Sequence, residues 1–281
     1  MVQDGDHPSR PELAAIQGAN YHRTFDYRAA SPHLKWPRLF DSLSGLVRDA
    51  LATAARRGLP LTVLEIGAGH GGFTEVLLAA GAQVTATEMS ADSAERLRDR
   101  FALNDRCRVV SDVDGSLRGL DAERFSMILY ASVIHHIPKY LRAVAEAATR
   151  HLLPGGALVT LQDPLWYPGV PRSHRLAGRA GYLTWRASQG DYRRAVATAS
   201  RRARGVFDEG NPSDVVEYHV VRSGVDQNAL VALLRPGFEQ VDLMPYWSVQ
   251  SGPWQRIGER TGMKNTFAII AQGRNVRLLD G

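Results

Sequence analysis

The sequence predicts an α/β protein with a doubly wound, mostly parallel sheet, and three observations carry that expectation. Strand-like and helix-like segments alternate from Leu61 onward, a glycine-rich turn follows the first strand, and Gly or Pro punctuates the element ends. Strands are read over 61–66, 83–87, 108–111, 126–130 and 157–161, each short and apolar. Between them run helices over 73–80, stopped by Gly81, over 91–101 behind a Ser90 cap, and over 139–152 with Pro138 at the start. Ahead of the first strand, Leu39, Leu43, Leu46, Val47, Ala50 and Leu51 recur at helical spacing until Gly58 and Pro60 close the helix. Beyond Leu161 the rhythm breaks for about 60 residues, too many for a bare loop, so that insertion is expected to form helices of its own. The alternation resumes with Asp226 as a cap, a helix through Leu230, Leu233 and Leu234, a stop at Pro236 and Gly237, and strands over 240–249 and 265–272. No helix-length pattern separates those two strands, so they are expected to pair antiparallel.

Composition narrows the class. A chain of 281 residues, 44% hydrophobic, holds one sizeable core or one domain with an insertion. Residues 1–11 are polar and charged, and no apolar run approaches bilayer length, so a soluble, cytoplasmic chain without membrane contact is expected. Cys107, the single cysteine, excludes an intrachain disulfide and a cysteine-rich zinc site, and is expected to be buried and inert. No His/Asp/Glu group has metal-ligand spacing, so no metal is expected. The net charge of +5 is unevenly spread: nine arginines lie from Arg172 to Arg204 against one acid, Asp191. That stretch suits an anionic partner such as nucleic acid, a phosphorylated substrate or an acidic carrier domain; a solvated helix face is the structural alternative.

The strongest local signal is the run from Val63 through Glu65, Gly67, Ala68, Gly69, Gly71 and Gly72 to Phe73, a strand entering a glycine turn and then a helix. Glycines there let the chain turn sharply and let a nucleotide-bearing ligand approach the main chain. Gly67, Gly69 and Gly72 also satisfy G-x-G-x-x-G, which S-adenosylmethionine (SAM) and NAD proteins share, so the turn alone leaves both open. The acids around it favour SAM. Glu65 stands two residues before the first glycine, where an ammonium is welcome and a pyrophosphate is not. Glu88 ends the second strand, where a carboxylate accepts from the ribose hydroxyls of either nucleotide and so points to a nucleoside without choosing between them, and Asp112 ends the third, where it accepts from the adenine amine. The structural alternative is three polar residues that merely terminate buried strands.

In order and spacing these features resemble the class I SAM-dependent methyltransferase family, small-molecule branch. The likeness covers 61–163 and includes the Glu65 to Gly71 run, Glu88, Asp112, the segment Ala131-Ser132-Val133-Ile134-His135-His136-Ile137, and Leu152-Leu153-Pro154-Gly155-Gly156. The resemblance implies a seven-stranded Rossmann-like sheet whose last strand is antiparallel. It also implies SAM as cofactor, with Gly67, Ala68 and Gly69 beside the methionine moiety, Glu88 with Met89 at the ribose, Asp112 with Val113 at the adenine, and Ala131 and Ser132 lining the floor. By this reading 1–60 is a helical segment covering the site, 61–163 the cofactor-binding core, 164–222 a helical lid for substrate, and 223–281 the rest of the sheet. The fourth strand lacks the acid that such enzymes often carry there, and the Asn/Asp-Pro-Pro-aromatic motif of many nucleic-acid amino-methylating enzymes is absent.

Methyl transfer needs mainly alignment, and a base only where the acceptor arrives protonated. His135 and His136, at a strand end, are candidate bases, with a loop-shaping role as the alternative; His219 is a third candidate from the lid side. Tyr21 is a candidate to close over the cofactor or to anchor its helix to the sheet. Trp166, Tyr167, Tyr182, Trp185, Tyr246 and Trp247 suit a flat acceptor, or form a small core within the insertion. The expected activity is methylation of O, N or C on a small organic molecule, aromatic or anionic. The basic stretch offers a carrier-protein dock. An RNA methyltransferase and an NAD-dependent oxidoreductase are the competing readings.

Overall fold

The computed structural model describes Ile16, residues 27–190 and residues 218–275. Tyr21 and the arginines beyond residue 190 lie outside the described residues. Helices α1 (Tyr27–Ala30), α2 (Pro32–Lys35) and α3 (Pro37–Arg56) lead into the alternating unit: β1 (Thr62–Ile66), α4 (Gly72–Ala79), β2 (Gln83–Glu88), α5 (Ala91–Phe101), β3 (Cys107–Ser111), β4 (Phe125–Ala131), α6 (Tyr140–His151) and β5 (Leu152–Pro164). The insertion contributes α7 (Arg172–Ser188) and α8 (Tyr218–Val221). Then come α9 (Gln227–Leu234), β6 (Phe238–Tyr246), α10 (Gly252–Arg260) and β7 (Thr266–Arg274).

The seven strands form one sheet in the order β3-β2-β1-β4-β5-β7-β6, with β7 antiparallel to both its neighbours. Period-2 alternation along the strands builds two cores. Val63, Met127, Leu129, Val159 and Ile270 face α3, α4 and Leu97 of α5, while Leu64, Ile128, Leu158, Ile269 and Phe267 face α6 and α9. In α3 the apolar stripe of Leu39, Leu43, Val47, Ala50 and Leu51 is buried as its spacing requires.

Local signals account for most boundaries. Ser90 caps α5 by accepting from Ser93 N, and Asp226 caps α9 with one carboxylate oxygen accepting from Asn228 N at 3.0 Å and Ala229 N at 2.9 Å. Asp226→Ala is expected to cost about 1 kcal/mol, read as a lowered denaturation midpoint at unchanged slope.

Two expectations need correction. A nine-residue helix, α10, stands between β6 and β7 where none was read. It is held by packing: its Gly258 lies so close to the Trp247 indole that an added Cβ would sit 2.2 Å from Nε1, and that Nε1 donates to the Trp254 carbonyl at 3.0 Å. Cys107 is half-buried rather than buried; burial still pushes its thiol up to about 11, so it stays protonated. Among the described residues no helix is long and apolar enough to cross a membrane.

Candidate functional site

The carboxyl ends of β1 to β4 open onto one cavity of about 850 Å³, within the range of small-molecule sites. It lies where the sheet order reverses about β1, with β2 on one side and β4 on the other, the usual place for a ligand in an open α/β sheet. The N-terminal helices close its upper side through Arg28, Ser31, His33, Leu34 and Phe40.

Of the residues singled out by sequence, Glu65, Gly67, Ala68, Gly69, Glu88, Met89, Asp112, Ala131, Ser132, His135 and His136 all line this cavity. Gly67 takes φ +67°, and an added Cβ there would meet Val133 Cγ2 at 2.7 Å, so only glycine lets the chain turn this tightly against Val133. Glu88 organises the turn from the side: one carboxylate oxygen accepts from Gly69 N at 2.8 Å, the other from Met89 N at 2.9 Å and Ser90 N at 3.1 Å. Burial raises its pKa and these three N–H groups pull it back. Glu65 accepts from Thr74 Oγ1 at 2.6 Å; burial outweighs that bond and pushes its carboxyl up to about 8. Asp112 accepts from Leu117 N, which folds the loop beyond β3 against the cavity.

Two of the singled-out residues stand elsewhere. Val113 is 46% exposed and outside the cavity wall, which at that level is made by Asp112, Asp114, Gly115 and Leu117. His219 is not in the wall either; its Nε2 lies 3.0 Å from the Ile137 carbonyl and its ring meets Tyr140 edge-on. None of the six aromatics is in the cavity wall either. Trp247 packs with Ala177, Val249, Trp254 and Met263, Tyr182 packs against Trp185, and Tyr246 Oη donates to Gln162.

One partner went unread in the sequence. Asp163, fully buried at the end of β5, accepts from both Nδ1 (2.8 Å) and the backbone N–H (3.0 Å) of His135, and its other oxygen accepts from Thr160 Oγ1 at 2.9 Å. A carboxylate only accepts, so Nδ1 carries the ring proton and Nε2 is the acceptor nitrogen of His135. The signal that points to Asp163 is its place: an acid closing the fifth strand, as Glu88 and Asp112 close the second and third. His33, 4% exposed in the wall, had no local signal at all. Among the described residues no group of three or more His, Cys, Asp or Glu is arranged to hold a metal ion.

Residues 64–158 match the family model described as "Methyltransferase domain". The chain is 30% identical over 123 residues to the polyketide synthase component of lovastatin nonaketide synthase from Aspergillus terreus, covering 41% of this chain and 4% of that protein. It is 31% identical over 130 residues to the hybrid PKS-NRPS synthetase mpsA of Macrophomina phaseolina, covering 43% of this chain and 3% of that one. The chain thus spans a few hundredths of the length of these curated relatives. Among solved structures, the N-methyltransferase NodS from Bradyrhizobium japonicum WM9, in complex with S-adenosyl-L-homocysteine (SAH), aligns with a TM-score of 0.51 at 14% identity, over 93% of this chain and 100% of that one, a likeness of fold.

Proposed function

We propose, for a chain that belongs to the class I SAM-dependent methyltransferases, that it moves the methyl group of SAM to a protonated oxygen or an acidic carbon of a small organic molecule, with His135 as base. The observation that carries this reading is the buried His135–Asp163 pair, of which His135 lies in the cavity wall and Asp163 behind it. The residues present fit the cofactor: a glycine turn from Gly67 to Gly69 in the cavity wall, three acids at three successive strand ends, and a cavity of sufficient size. Glu65 would receive the amine, Glu88 the ribose hydroxyls and Asp112 the adenine amine, with Ala131 and Ser132 beneath. Bound there, SAM supplies a methyl group made electrophilic by a positively charged sulfur.

The chain's own residues then have two tasks, alignment and proton removal. Asp163 holds the Nδ1 proton of His135, which leaves Nε2 to take a proton from the acceptor, and it stabilises the imidazolium that forms. His136 lies against His135 with ring centroids 4.0 Å apart and sets the wall beside it. His219 braces the loop by donating to the Ile137 carbonyl, and burial, first among the causes, lowers its pKa and keeps it neutral.

The arginines of α7 (Arg172, Arg175, Arg179) flank Leu176, which is 57% exposed, a face suited to an acidic carrier domain. The much longer synthases that match this chain support that reading. A cytoplasmic setting agrees with the single half-buried thiol.

The test is incubation with SAM and a panel of phenols, hydroxy acids, amines and a β-keto thioester, free and carrier-bound, following SAH release by mass spectrometry. Turnover on hydroxyls or carbon acids is expected; turnover on amines alone would defeat the base assigned to His135. Glu65 adds a pH signature. At neutral pH it is mostly protonated, because its pKa stands at about 8, yet an ammonium requires the carboxylate. SAH affinity is therefore expected to rise with pH, by up to about tenfold per unit, until it levels off above Glu65's pKa, with a proton released on binding. Calorimetry in buffers of different ionisation enthalpy measures this; a Glu65→Gln variant with the same pH profile as the parent would remove Glu65 from the site.

A further inference from the structure

We infer that His33 is a positioning residue for the amino-acid end of the cofactor, its ring hydrogen-bonding the carboxylate of bound SAM. The inference rests on the cofactor reading above and adds a contact from outside the motif-bearing core. His33 sits on α2, 4% exposed, in the cavity wall, and its Nδ1 is buried with no hydrogen-bond partner. Buried ring nitrogens rarely go unpaired, so an orphan on a cavity wall marks a place for a ligand.

Its position selects which part of the ligand. The ring lies nearly parallel to Phe73, in the first turn of α4, with centroids 6.1 Å apart and planes 14° apart. The next residue, Leu34, fills the space over Gly72, where an added Cβ would meet Leu34 Cδ2 at 2.8 Å. His33 is thus placed over the exit of the glycine turn, beside the N-terminus of α4, whose N-cap Gly71 contributes no side chain. The acids Glu65, Glu88 and Asp112 would take the amine, ribose and adenine, and as carboxylates they offer no donor to the one anionic group of the cofactor. That carboxylate needs donors elsewhere, and the first N–H groups of α4 together with His33 supply them. Burial, then the neighbouring His135, lower the His33 pKa to about 3, so the ring donates a hydrogen bond without adding a cation beside the sulfonium.

The test uses the full chain and two ligands, SAH and 5′-methylthioadenosine, which keeps the nucleoside and sulfur but lacks the amino acid. By calorimetry, His33→Ala is expected to weaken SAH about tenfold, about 1.4 kcal/mol, and to leave methylthioadenosine within about twofold. His33→Asn, whose amide can present an N–H near the Nδ1 position, is expected to recover most of the loss. If thermal melting shows His33→Ala unfolded, His33→Phe, which keeps a ring over Phe73 without the nitrogens, carries the same expectation. Equal losses for both ligands would make His33 merely structural, and unchanged SAH binding would place it away from the carboxylate; either result overturns the inference. A parent protein that binds neither ligand would instead sink the cofactor reading itself.

Discussion

Asp163→Asn is expected to lower turnover by about 10²–10⁴-fold while leaving SAH affinity within a few-fold. Both oxygens of this fully buried carboxylate are engaged: one accepts twice from His135 and the other accepts from Thr160. An amide has only one acceptor oxygen. Turned with its oxygen to His135, the amide keeps the Nδ1 proton in place but brings no charge to stabilise the imidazolium; turned the other way, its NH₂ group faces the His135 ring and favours the tautomer with the proton on Nε2, the nitrogen needed as acceptor. His135→Ala is expected to lose as much, and the double variant little more, because the two side chains act as a unit. Single-turnover kinetics, with SAH titration as control, provide the check. An Asp163→Asn enzyme within a few-fold of the parent would reduce the pair to a structural tie and leave alignment alone as the source of rate.

Glu88→Ala carries the second large expectation, a loss of about 10²–10⁴-fold in SAH affinity by calorimetry. Removing the carboxylate unpairs Gly69 N, Met89 N and Ser90 N within the fold, and deletes with them the two charge-assisted bonds proposed to ribose, each worth roughly 1.5–3 kcal/mol. The glycine turn then loses its lateral tie, so cofactor-free stability should fall by about 1–3 kcal/mol as well. Glu88→Gln is not a mild change here. Its single amide oxygen can serve Gly69 or the Met89–Ser90 pair, and the NH₂ group opposes the other. Intermediate losses in both affinity and melting temperature are therefore expected. Parental SAH affinity in Glu88→Ala would remove the ribose role from this residue.

Legibility in the sequence tracked how local the cause was. The period-2 strands, the glycine turn, the Ser90 and Asp226 caps and the strand-end acids Glu65, Glu88 and Asp112 are set by neighbours within a few residues, and the structure places them as their patterns imply. Helix α10 was invisible because its reason to form is remote: Gly258 is there for the Trp247 indole to pack on, and Trp247 lies before the helix, at the head of the β6–β7 connection. The insertion's aromatics were ambiguous for the same cause, since either a flat ligand or a private core satisfies the composition, and only packing shows that Trp247, Val249 and Ala177 cover one another.

The histidine pair makes the division sharpest. That His135 follows the fourth strand and an acid closes the fifth was written in the chain. Strict alternation from Leu161, however, would send Asp163 to the same face as Leu161, toward α3 and away from His135. A bulge at Gln162, which takes φ +66°, breaks the register between Leu161 and Asp163 and turns the carboxylate to the opposite face, where Thr160 and His135 meet it. His33 reaches the same cavity from α2, across about a hundred residues of intervening chain, because α3 packs along the sheet and carries the segment before it over the strand ends. The sequence by itself determined the sheet, the turn and the strand-end acids that line the cavity, because each depends on short-range pattern. Only the tertiary structure decided which histidine is paired and which is left seeking a ligand, because burial and hydrogen-bond partners come from residues far apart in the chain.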